Sequence, residues 1–376
     1  MELSAKIQAI AGSQTVAFTT LIQQYRQQGR KIVDLAVGEP QFDTPAPVID
    51  ATKNALDAQK TRYGPVNGLS ELRKPLAAQF SGYDIDNILI TNGSKQALFM
   101  IFQVICDPAD EVIIPVPYWV SFIEQIKLAG GKPVPVATRD YQLNCEAIER
   151  AVTPRTKVIL INSPNNPSGA VYPMADLQKI ARLAEDHNLF VVADEAYNAF
   201  VYDGNVHASL FDIEPVRNRV IVTRSFSKSY NMTGFRIGYI AAPGQIIEAL
   251  SKIQSHLSGN ACTFAQYGAL AALSLDGHLL SARHIELQQK RDMAFQYVSK
   301  LFECIKPQGA FYLFPDVSAV LQKNETSAEL ARRILKQAGV AVVAGETFGM
   351  AKHLRISFAV SEENLKNGLE QIAEVL

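Results

Sequence analysis

Short apolar runs alternate with longer amphipathic stretches along most of the chain. Runs rich in β-branched residues predict buried strands, and apolar positions that recur every three to four residues predict helices. Long helical connections let neighbouring strands run parallel, so the pattern predicts an α/β domain with a mainly parallel sheet covered by helices. The predicted strands cover residues 88–91, 111–115, 157–162, 189–193, 220–225 and 236–241. The predicted helices cover residues 95–104, 118–129, 174–187 and 246–257.

The pattern changes after about residue 275. A long charged helix is followed by short strands and two further helices, an order that predicts a smaller α+β domain. The first 45 residues contain one strand-like run, at 32–36, and no helical partner for it in the first domain. We therefore predict a large domain over residues 46–275 and a small domain built from residues 1–45 and 276–376. The elements predicted in the second part are a helix at 281–304, strands at 310–314, 340–343 and 354–358, and helices at 328–338 and the C-terminus.

Composition narrows the classes of function. The 376 residues are 48% apolar, enough for a sizeable core, and 36 basic residues nearly balance 37 acidic ones. This balance gives no field that would attract nucleic acid. No apolar run approaches the ~20 residues that cross a bilayer, and Glu2 and Lys6 interrupt the N-terminal stretch. We predict a cytoplasmic protein that binds neither nucleic acid nor membrane. The four cysteines have no C-x-x-C spacing, which disfavours zinc and a disulfide framework.

Several common motifs of catalysis are missing from the sequence. It contains no Rossmann G-x-G-x-x-G, P-loop, H-E-x-x-H or G-x-S-x-G pattern. Dinucleotide binding, nucleotide hydrolysis and zinc or serine hydrolysis therefore lose their main support.

The most informative segment is SFSKSYNMTGFRIG, residues 225–238, which follows a predicted strand. The hydroxyls of Ser225 and Ser227 and the guanidinium of Arg236 suit a phosphate-sized anion at the end of a strand. Lys228 lies between them, where its amine can form a Schiff base with an aldehyde of the same ligand. The alternative is a polar loop with a solvated lysine.

Two further segments follow predicted strands. In VVADEAY, Asp194 ends an apolar strand, where a desolvated carboxylate needs a cation such as a protonated heterocyclic nitrogen. The alternative is that Asp194 caps a helix. In INSPNNPSGAVY, Pro167 holds Asn166 extended, so that its amide can point into a cleft, although Asn-Asn-Pro is also ordinary turn chemistry.

A fourth segment, TNGSKQALF, consists of a strand, Gly93 and the start of a helix. The backbone amides of Gly93, Ser94 and Lys95 at this helix N-terminus predict an anion site without any particular side chain. All four segments leave their strands at the same edge of the predicted sheet.

Together these segments resemble the fold-type-I aminotransferases that use pyridoxal 5'-phosphate (PLP), and most closely the bacterial aspartate-aminotransferase-like subgroup. The resemblance implies a large domain with a mainly parallel seven-stranded sheet, a smaller α+β domain from both chain ends, and a homodimer with shared active sites. It implies amino acid and 2-oxo acid substrates. It rests also on AVGEP at Ala36, RYGPVNGLSELR at Arg62, PYWVSF at Pro117, NSPNNPSG at Asn162 and LRISFA at Leu354.

The resemblance also implies roles for single residues. Lys228 would bond covalently to PLP and act as the catalytic base, Asp194 would pair with the pyridine nitrogen, and Tyr197 would bond the ring oxygen together with Asn166. The phosphate would be held by Gly93, Ser94, Lys95, Ser225, Ser227 and Arg236, and by Tyr63 of the other subunit. The substrate would meet Gly38, Trp119, Asn166, Lys95 and Arg355.

Some of these assignments have structural alternatives. Trp119 suits a core position as well as a stack on the cofactor ring, and Tyr63 could cap the turn before Gly64. Arg355 lies inside an apolar strand, where an arginine without an anion is costly, and this favours a carboxylate ligand.

The substrate is the least constrained feature. In the resembled subgroup the lysine that matches Lys95 helps to bind the distal acid of a dicarboxylate, with Ser13 and Thr15 as the nearest matches to its hydroxyl partners. We therefore expect aspartate or glutamate as donor, although Lys95 could serve through its backbone amide alone. Ala11 and Gly12 replace the Lys-Pro of many members, which argues against prephenate. The alternatives are a PLP-dependent β-lyase, an aminotransferase for aromatic or neutral amino acids, and a non-catalytic module on the same fold.

Overall fold

The computed structural model describes residues 4–8, 10, 12 and 14–376, which form one large sheet, two small sheets and the helices around them. The strands are β1 (Val33–Asp34), β2 (Ile88–Thr91), β3 (Glu111–Val116), β4 (Lys132–Ala137), β5 (Thr156–Asn162), β6 (Phe190–Asp194), β7 (Val220–Ser225), β8 (Gly238–Ala241), β9 (Tyr312–Leu313), β10 (Val340–Ala341), β11 (Val343–Ala344) and β12 (Leu354–Ser357). The helices are α1 (Ala5–Gln8), α2 (Gln14–Gln27), α3 (Ala46–Asp57), α4 (Ser70–Ala77), α5 (Ser94–Ile105), α6 (Ser121–Leu128), α7 (Cys145–Arg150), α8 (Met174–Asp186), α9 (Phe226–Ser229), α10 (Gly244–Leu257), α11 (Thr263–Ala272), α12 (Gly277–Leu301), α13 (Ser327–Ala338) and α14 (Glu362–Glu374).

The large sheet has seven strands in the order β2-β8-β7-β6-β5-β3-β4. β8 runs antiparallel to both of its neighbours, and every other adjacent pair is parallel. This confirms the predicted mainly parallel, seven-stranded α/β fold. The carboxyl ends of β5, β6 and β7 therefore lie side by side.

The sheet is buried on both faces, which explains why its central strands are continuous apolar runs. Val191 and Ala193 of β6 pack into the core on one face, and Val192 between them packs into the core on the other. Helix α5 covers the second face, with its buried side chains including Leu98 and Ile101.

The predicted strands differ from this sheet in two places. Strand β4 was missed, because Pro133 and Pro135 break the pattern of a buried strand. Proline is tolerated there because β4 is an edge strand with three exposed positions. The strand predicted to begin at Arg236 begins at Gly238, because Arg236 has a left-handed backbone conformation with φ of 55°.

A second core lies among α12, α13, α14 and the two small sheets. Helix α13 begins with a reciprocal capping box between Thr326 and Glu329 and ends at the left-handed Gly339. The predicted strand at 340–343 is divided at Val342, because β10 pairs with β1 while β11 pairs with β12. The parallel pairing of β1 with β10 brings the N-terminal segment to the C-terminal part. The domain boundaries at 46 and 276 stay a prediction.

Within the described part of the chain, no helix has the length and apolar character needed to cross a membrane.

Candidate active site

A cavity of about 500 Å³ lies at the carboxyl ends of β5, β6 and β7. Open parallel sheets bind ligands at this edge. Two elements supply the opposite wall: Gly38 lies in the segment after β1, and Arg355 lies in strand β12. The cavity brings together most of the predicted site residues: Gly38, Ser94, Lys95, Trp119, Asn166, Asp194, Tyr197, Ser225, Ser227, Lys228, Arg236 and Arg355.

Asp194 is the last residue of β6 and is only 5% exposed. Its Oδ1 atom accepts hydrogen bonds from the Ala196 amide at 3.2 Å and from Thr223 Oγ1 at 3.3 Å. No cation of the described residues pairs with it, and burial raises its pKa to about 7. A buried carboxylate in this state is costly, and a ligand with a cationic N–H would compensate it. The pyridine nitrogen of PLP fits this position.

Lys228 lies in the short helix α9, directly after β7. The Ser225 side chain caps this helix by accepting a hydrogen bond from the Ser227 amide at 3.1 Å. Lys228 Nζ reaches across the cavity and donates to the Gly38 carbonyl at 2.5 Å. Burial, together with the positive charges of nearby Arg236, Arg355 and Lys95, lowers the pKa of Lys228 to about 8, although Glu39 acts in the opposite direction. The amine is therefore available as a nucleophile and base near neutral pH.

An anion cradle lies where α5 begins. Gly93 precedes this helix with φ of 78°, and a Cβ atom there would lie 2.5 Å from Arg236 Nη2. A Cβ atom on Gly238 would lie 2.6 Å from the Ser94 amide nitrogen. Both glycines are needed because the strand end, the helix N-terminus and the guanidinium approach so closely. Arg236 Nη1 also donates to the Thr233 carbonyl at 2.9 Å and to Ser227 Oγ at 3.5 Å. Helix amides, a hydroxyl and a guanidinium thus converge as a phosphate requires.

Aromatic and amide groups line the space between this cradle and Asp194. Trp119 is partly buried, and Lys95 Nζ lies 4.9 Å from the centre of its ring. Burial and the neighbouring Arg236 charge lower the pKa of Lys95. The Lys95 side chain therefore points into the cavity, in addition to its backbone at the start of α5. Asn166 Nδ2 donates to the Tyr197 hydroxyl at 3.5 Å.

Arg355 is the buried cation of the opposite wall and is 5% exposed. Its Nη1 donates to Asn166 Oδ1 at 3.0 Å and its Nη2 to the Ala36 carbonyl at 2.8 Å, while Nε has no partner among the described residues. The guanidinium carbon lies 4.3 Å from the ring centre of Tyr312. No carboxylate of the described chain bonds to Arg355, so the charge is held ready for an anionic ligand.

Two residues of the site, Tyr312 and Asn162, were not predicted. The Tyr312 hydroxyl lies 2.9 Å from the Tyr197 hydroxyl, and the Tyr312 ring packs against the guanidinium of Arg355. It belongs to a two-residue strand in the C-terminal part, and no local pattern marks it. Asn162 binds the Asp194 carbonyl through Nδ2 at 3.0 Å and the Asn166 amide through Oδ1 at 3.0 Å. Asn162 is the first residue of NSPNNPSG, and this motif could have been used to predict it.

Two predicted residues do not line the cavity of the single chain, and two others cannot be placed from the described residues. Gly93 lies just outside, behind Arg236. Tyr63 is 96% exposed. Ser13 lies outside the described residues, as does the side chain of Thr15.

The comparisons with known proteins agree with this geometry. A model of the family "Aminotransferase class I and II" matches residues 30–372. The chain belongs to the class I and II aminotransferases. Enzymes of this family depend on PLP, so the protein is a PLP-dependent aminotransferase of fold type I.

Its relatives are similar over their full length. The chain is 40% identical to the aspartate/prephenate aminotransferase of Thermus thermophilus, over 100% of this chain and 98% of the relative. It is 35% identical to the aspartate aminotransferase of Bacillus subtilis, over 99% of this chain and 98% of the relative. Among solved structures, the aspartate aminotransferase from Thermus thermophilus with maleate matches with a TM-score of 0.95 and 39% identity, and each chain is covered completely.

The state of Asp194 leads to a prediction about PLP-free protein. Its native pKa of about 7 exceeds the ordinary value near 4. The native state therefore keeps a proton that the unfolded state has lost between about pH 4 and 7, and stability falls as the pH rises through this range. Asp194→Asn removes the penalty, since the amide oxygen can still accept both hydrogen bonds. We expect the PLP-free variant to be more stable than PLP-free wild type at pH 8, by on the order of a few kcal/mol.

Urea unfolding at pH 8 and pH 4.5 measures this difference. It should shrink at the lower pH, where the wild-type carboxyl is neutral in the native state. In PLP-loaded protein the sign reverses, because the amide of the variant cannot supply the negative charge, and PLP affinity and turnover should fall. Equal stability of the two PLP-free proteins at pH 8 would contradict the assigned state of Asp194.

Proposed function

We propose that this aminotransferase takes aspartate or glutamate as its amino donor and a 2-oxo acid as its acceptor. The observation that carries this is the separation of two cations in one cavity, Arg355 on one wall and Lys95 on the other, neither bonded to a carboxylate of the described chain. A dicarboxylic substrate offers one carboxylate to each. The names of the relatives support the choice, and the Thermus structure with maleate concerns a dicarboxylate.

We assign the cofactor contacts as follows. Asp194 would pair with the ring N–H, Tyr197 and Asn166 would bond the ring oxygen, and Trp119 would pack against the ring. The phosphate would be held by the amides of Gly93, Ser94 and Lys95, the side chains of Ser225, Ser227 and Arg236, and Tyr63 of a second subunit. When bound, PLP supplies an electron-withdrawing ring that accepts the electron pair left at the substrate's Cα.

The chain's own groups then move the proton. Arg355 and the Gly38 segment hold the α-carboxylate, which fixes how the Cα–H bond points. Burial and the surrounding cations lower the pKa of Lys228 to about 8. Its Nζ can therefore take the proton from Cα as a general base and give it up again as a general acid. The carboxylate of Asp194 would stabilise a protonated ring nitrogen, and this positive charge is what makes the ring an effective electron acceptor.

A half-reaction screen tests the proposal. PLP-loaded protein is mixed with single amino acids in the absence of an oxo acid, and the loss of the visible absorbance is followed. Aspartate and glutamate should bleach it faster than alanine or tyrosine, and Lys228→Ala should not turn over. Pyruvate release from a β-substituted amino acid without an acceptor would instead identify a β-lyase. Bleaching that is fastest with an aromatic or neutral amino acid would overturn the dicarboxylate assignment. Prephenate can be added as the 2-oxo acid in a separate assay, to test whether it is accepted.

The Lys95 side chain provides a sharper test of specificity. Lys95→Met keeps the backbone amide in the anion cradle and removes only the cation near Trp119. We expect kcat/KM for aspartate to fall about 10- to 100-fold, the usual loss for a hydrogen bond to a charged group, and kcat/KM for alanine to change little. Arg355→Lys is the comparison variant and should lower kcat/KM for both aspartate and alanine. Equal losses for aspartate and alanine in Lys95→Met would assign the lysine to PLP binding alone.

We also propose a homodimer in which Tyr63 completes the neighbouring site. A tyrosine that is 96% exposed in the single chain but lies within a motif of the family supports this. A cytoplasmic location stays a prediction.

Hybrid dimers test the shared site. Tyr63→Ala and Lys228→Ala homodimers should both be impaired. In a hybrid, one site combines Lys228 of the first chain with Tyr63 of the second, so mixing and refolding the two variants should restore up to half of the wild-type activity per hybrid dimer. No recovery in hybrids shown to form by differential tagging would contradict the role of Tyr63, and sedimentation as a monomer would contradict the dimer.

A further inference from the structure

The acidic residue next to Asp194 forms a buried ion pair behind the site. Asp194 lies opposite Thr223 in the parallel pairing of β6 and β7, and the Glu195 amide donates to the Thr223 carbonyl at 2.9 Å. Side chains alternate between the faces of a strand, so Thr223 bonds Asp194 on the cavity side while Arg224 points to the other side. There Arg224 meets Glu195.

The contacts between the two side chains are close. Glu195 Oε2 accepts hydrogen bonds from Arg224 Nε at 2.9 Å and from Nη2 at 2.8 Å. Ser209 Oγ donates to the other oxygen at 2.5 Å, and His207 Nε2 lies 3.3 Å from Oε2. Burial would raise the pKa of Glu195, but these polar neighbours lower it below the ordinary value, so the carboxylate is charged.

Arg224 is held from its other side as well. Its Nη1 donates to Gln79 Oε1 at 3.3 Å, and its guanidinium lies 4.9 Å from the ring centre of Phe80. The side chains of Arg224 and Glu195 are 16% and 3% exposed, so water screens the pair weakly. The Glu195–Arg224 pair therefore fixes the end of β6 to the end of β7.

Both partners adjoin residues of the site. Glu195 directly follows Asp194, and Arg224 directly precedes Ser225 and lies four positions before Lys228. A slip of one strand end against the other would change the distance between the carboxylate and the amine that act on the two ends of one cofactor. Displacements of this kind are costly for reactions that depend on alignment.

We propose that the Glu195–Arg224 pair is a positioning pair for the amino transfer: it sets Asp194 and Lys228 relative to each other and keeps the field at the cofactor neutral. The proposal rests on the proposed function. Its electrostatic part has a definite sign. Glu195→Gln leaves an unpaired positive charge behind the site, which disfavours a protonated nitrogen on Lys228.

The chain offers a matched control in the second core. Arg333 Nε donates to Glu325 Oε1 at 2.8 Å and Nη2 to Oε2 at 3.0 Å, with side chains 15% and 10% exposed. This pair joins α13 to the segment before it and does not line the active-site cavity. Glu325→Gln thus removes the charge of a similarly buried pair outside the active-site cavity.

The experiment compares four PLP-loaded proteins: wild type, Glu195→Gln, the double variant Glu195→Gln/Arg224→Gln, and Glu325→Gln. The readouts are the pH midpoint of the cofactor's visible absorbance, kcat and KM for aspartate, and Tm. Glu195→Gln should lower the midpoint by on the order of half a pH unit and kcat about tenfold, with a smaller change in KM. The double variant should return the midpoint toward the wild-type value and recover part of kcat. Glu325→Gln should lower Tm only.

Each outcome has one meaning. The proposal would be overturned if Glu195→Gln kept the wild-type midpoint and kcat. It would also be overturned if the double variant recovered neither the midpoint nor kcat, or if Glu325→Gln shifted the midpoint equally. If Glu195→Gln does not fold, Glu195→Asp replaces it: this variant shortens the carboxylate without removing its charge, so kcat should fall while the midpoint stays. A wild-type protein that transaminates other amino acids but neither aspartate nor glutamate would refute the proposed function instead.

Discussion

The arrangement of the active site follows from charges that the chain does not satisfy by itself. Asp194 is buried with two hydrogen-bond donors and no cation among the described residues, while Arg355 is buried with two neutral acceptors and no carboxylate from that part of the chain. Desolvation makes each of these states unfavourable in isolation, and the opposite charges cannot meet, because they belong to opposite walls of the cavity. A ligand that presents a cationic N–H at one end and a carboxylate at the other relieves both. PLP with an amino acid attached has this distribution of charge.

The sheet topology is what brings such groups together. Parallel strands expose their carboxyl ends at one edge, so residues at the ends of three successive strands, β5, β6 and β7, meet there although they are far apart in sequence. The antiparallel β8 makes a second contribution: its first residue, Gly238, lies beside the start of α5 and lets the strand backbone approach the Ser94 amide closely. The phosphate cradle thus depends on the one strand of the large sheet that departs from the parallel order.

The sequence allowed the strand ends and their polar residues to be predicted, because buried parallel strands are continuous apolar runs and the residues that follow them stand out. Roles such as that of Asn166 came from the family resemblance. Tyr312 was missed because its contact with Tyr197 spans 115 positions and its strand is two residues long. Strand β4 was missed because an edge strand tolerates prolines that a buried one does not. The proposed role of Tyr63 also came from the family resemblance, since the side chain is exposed in the single chain and does not line the cavity.

Adjacent acids with opposite fates show how function is separated from stability in this fold. Asp194 and Glu195 are neighbours in sequence, yet the alternation of a strand sends them to opposite faces. Glu195 has its cation, its serine and its histidine within the chain, and its charge is satisfied before any ligand binds. Asp194 has none of these, so its charge has no counter-ion among the described residues. If the two acids exchanged environments, the composition and the local sequence pattern would stay the same, but the acid in the cavity would already be neutralised. The chemistry is therefore specified by the face that each acid occupies and by the partners that distant strands place there.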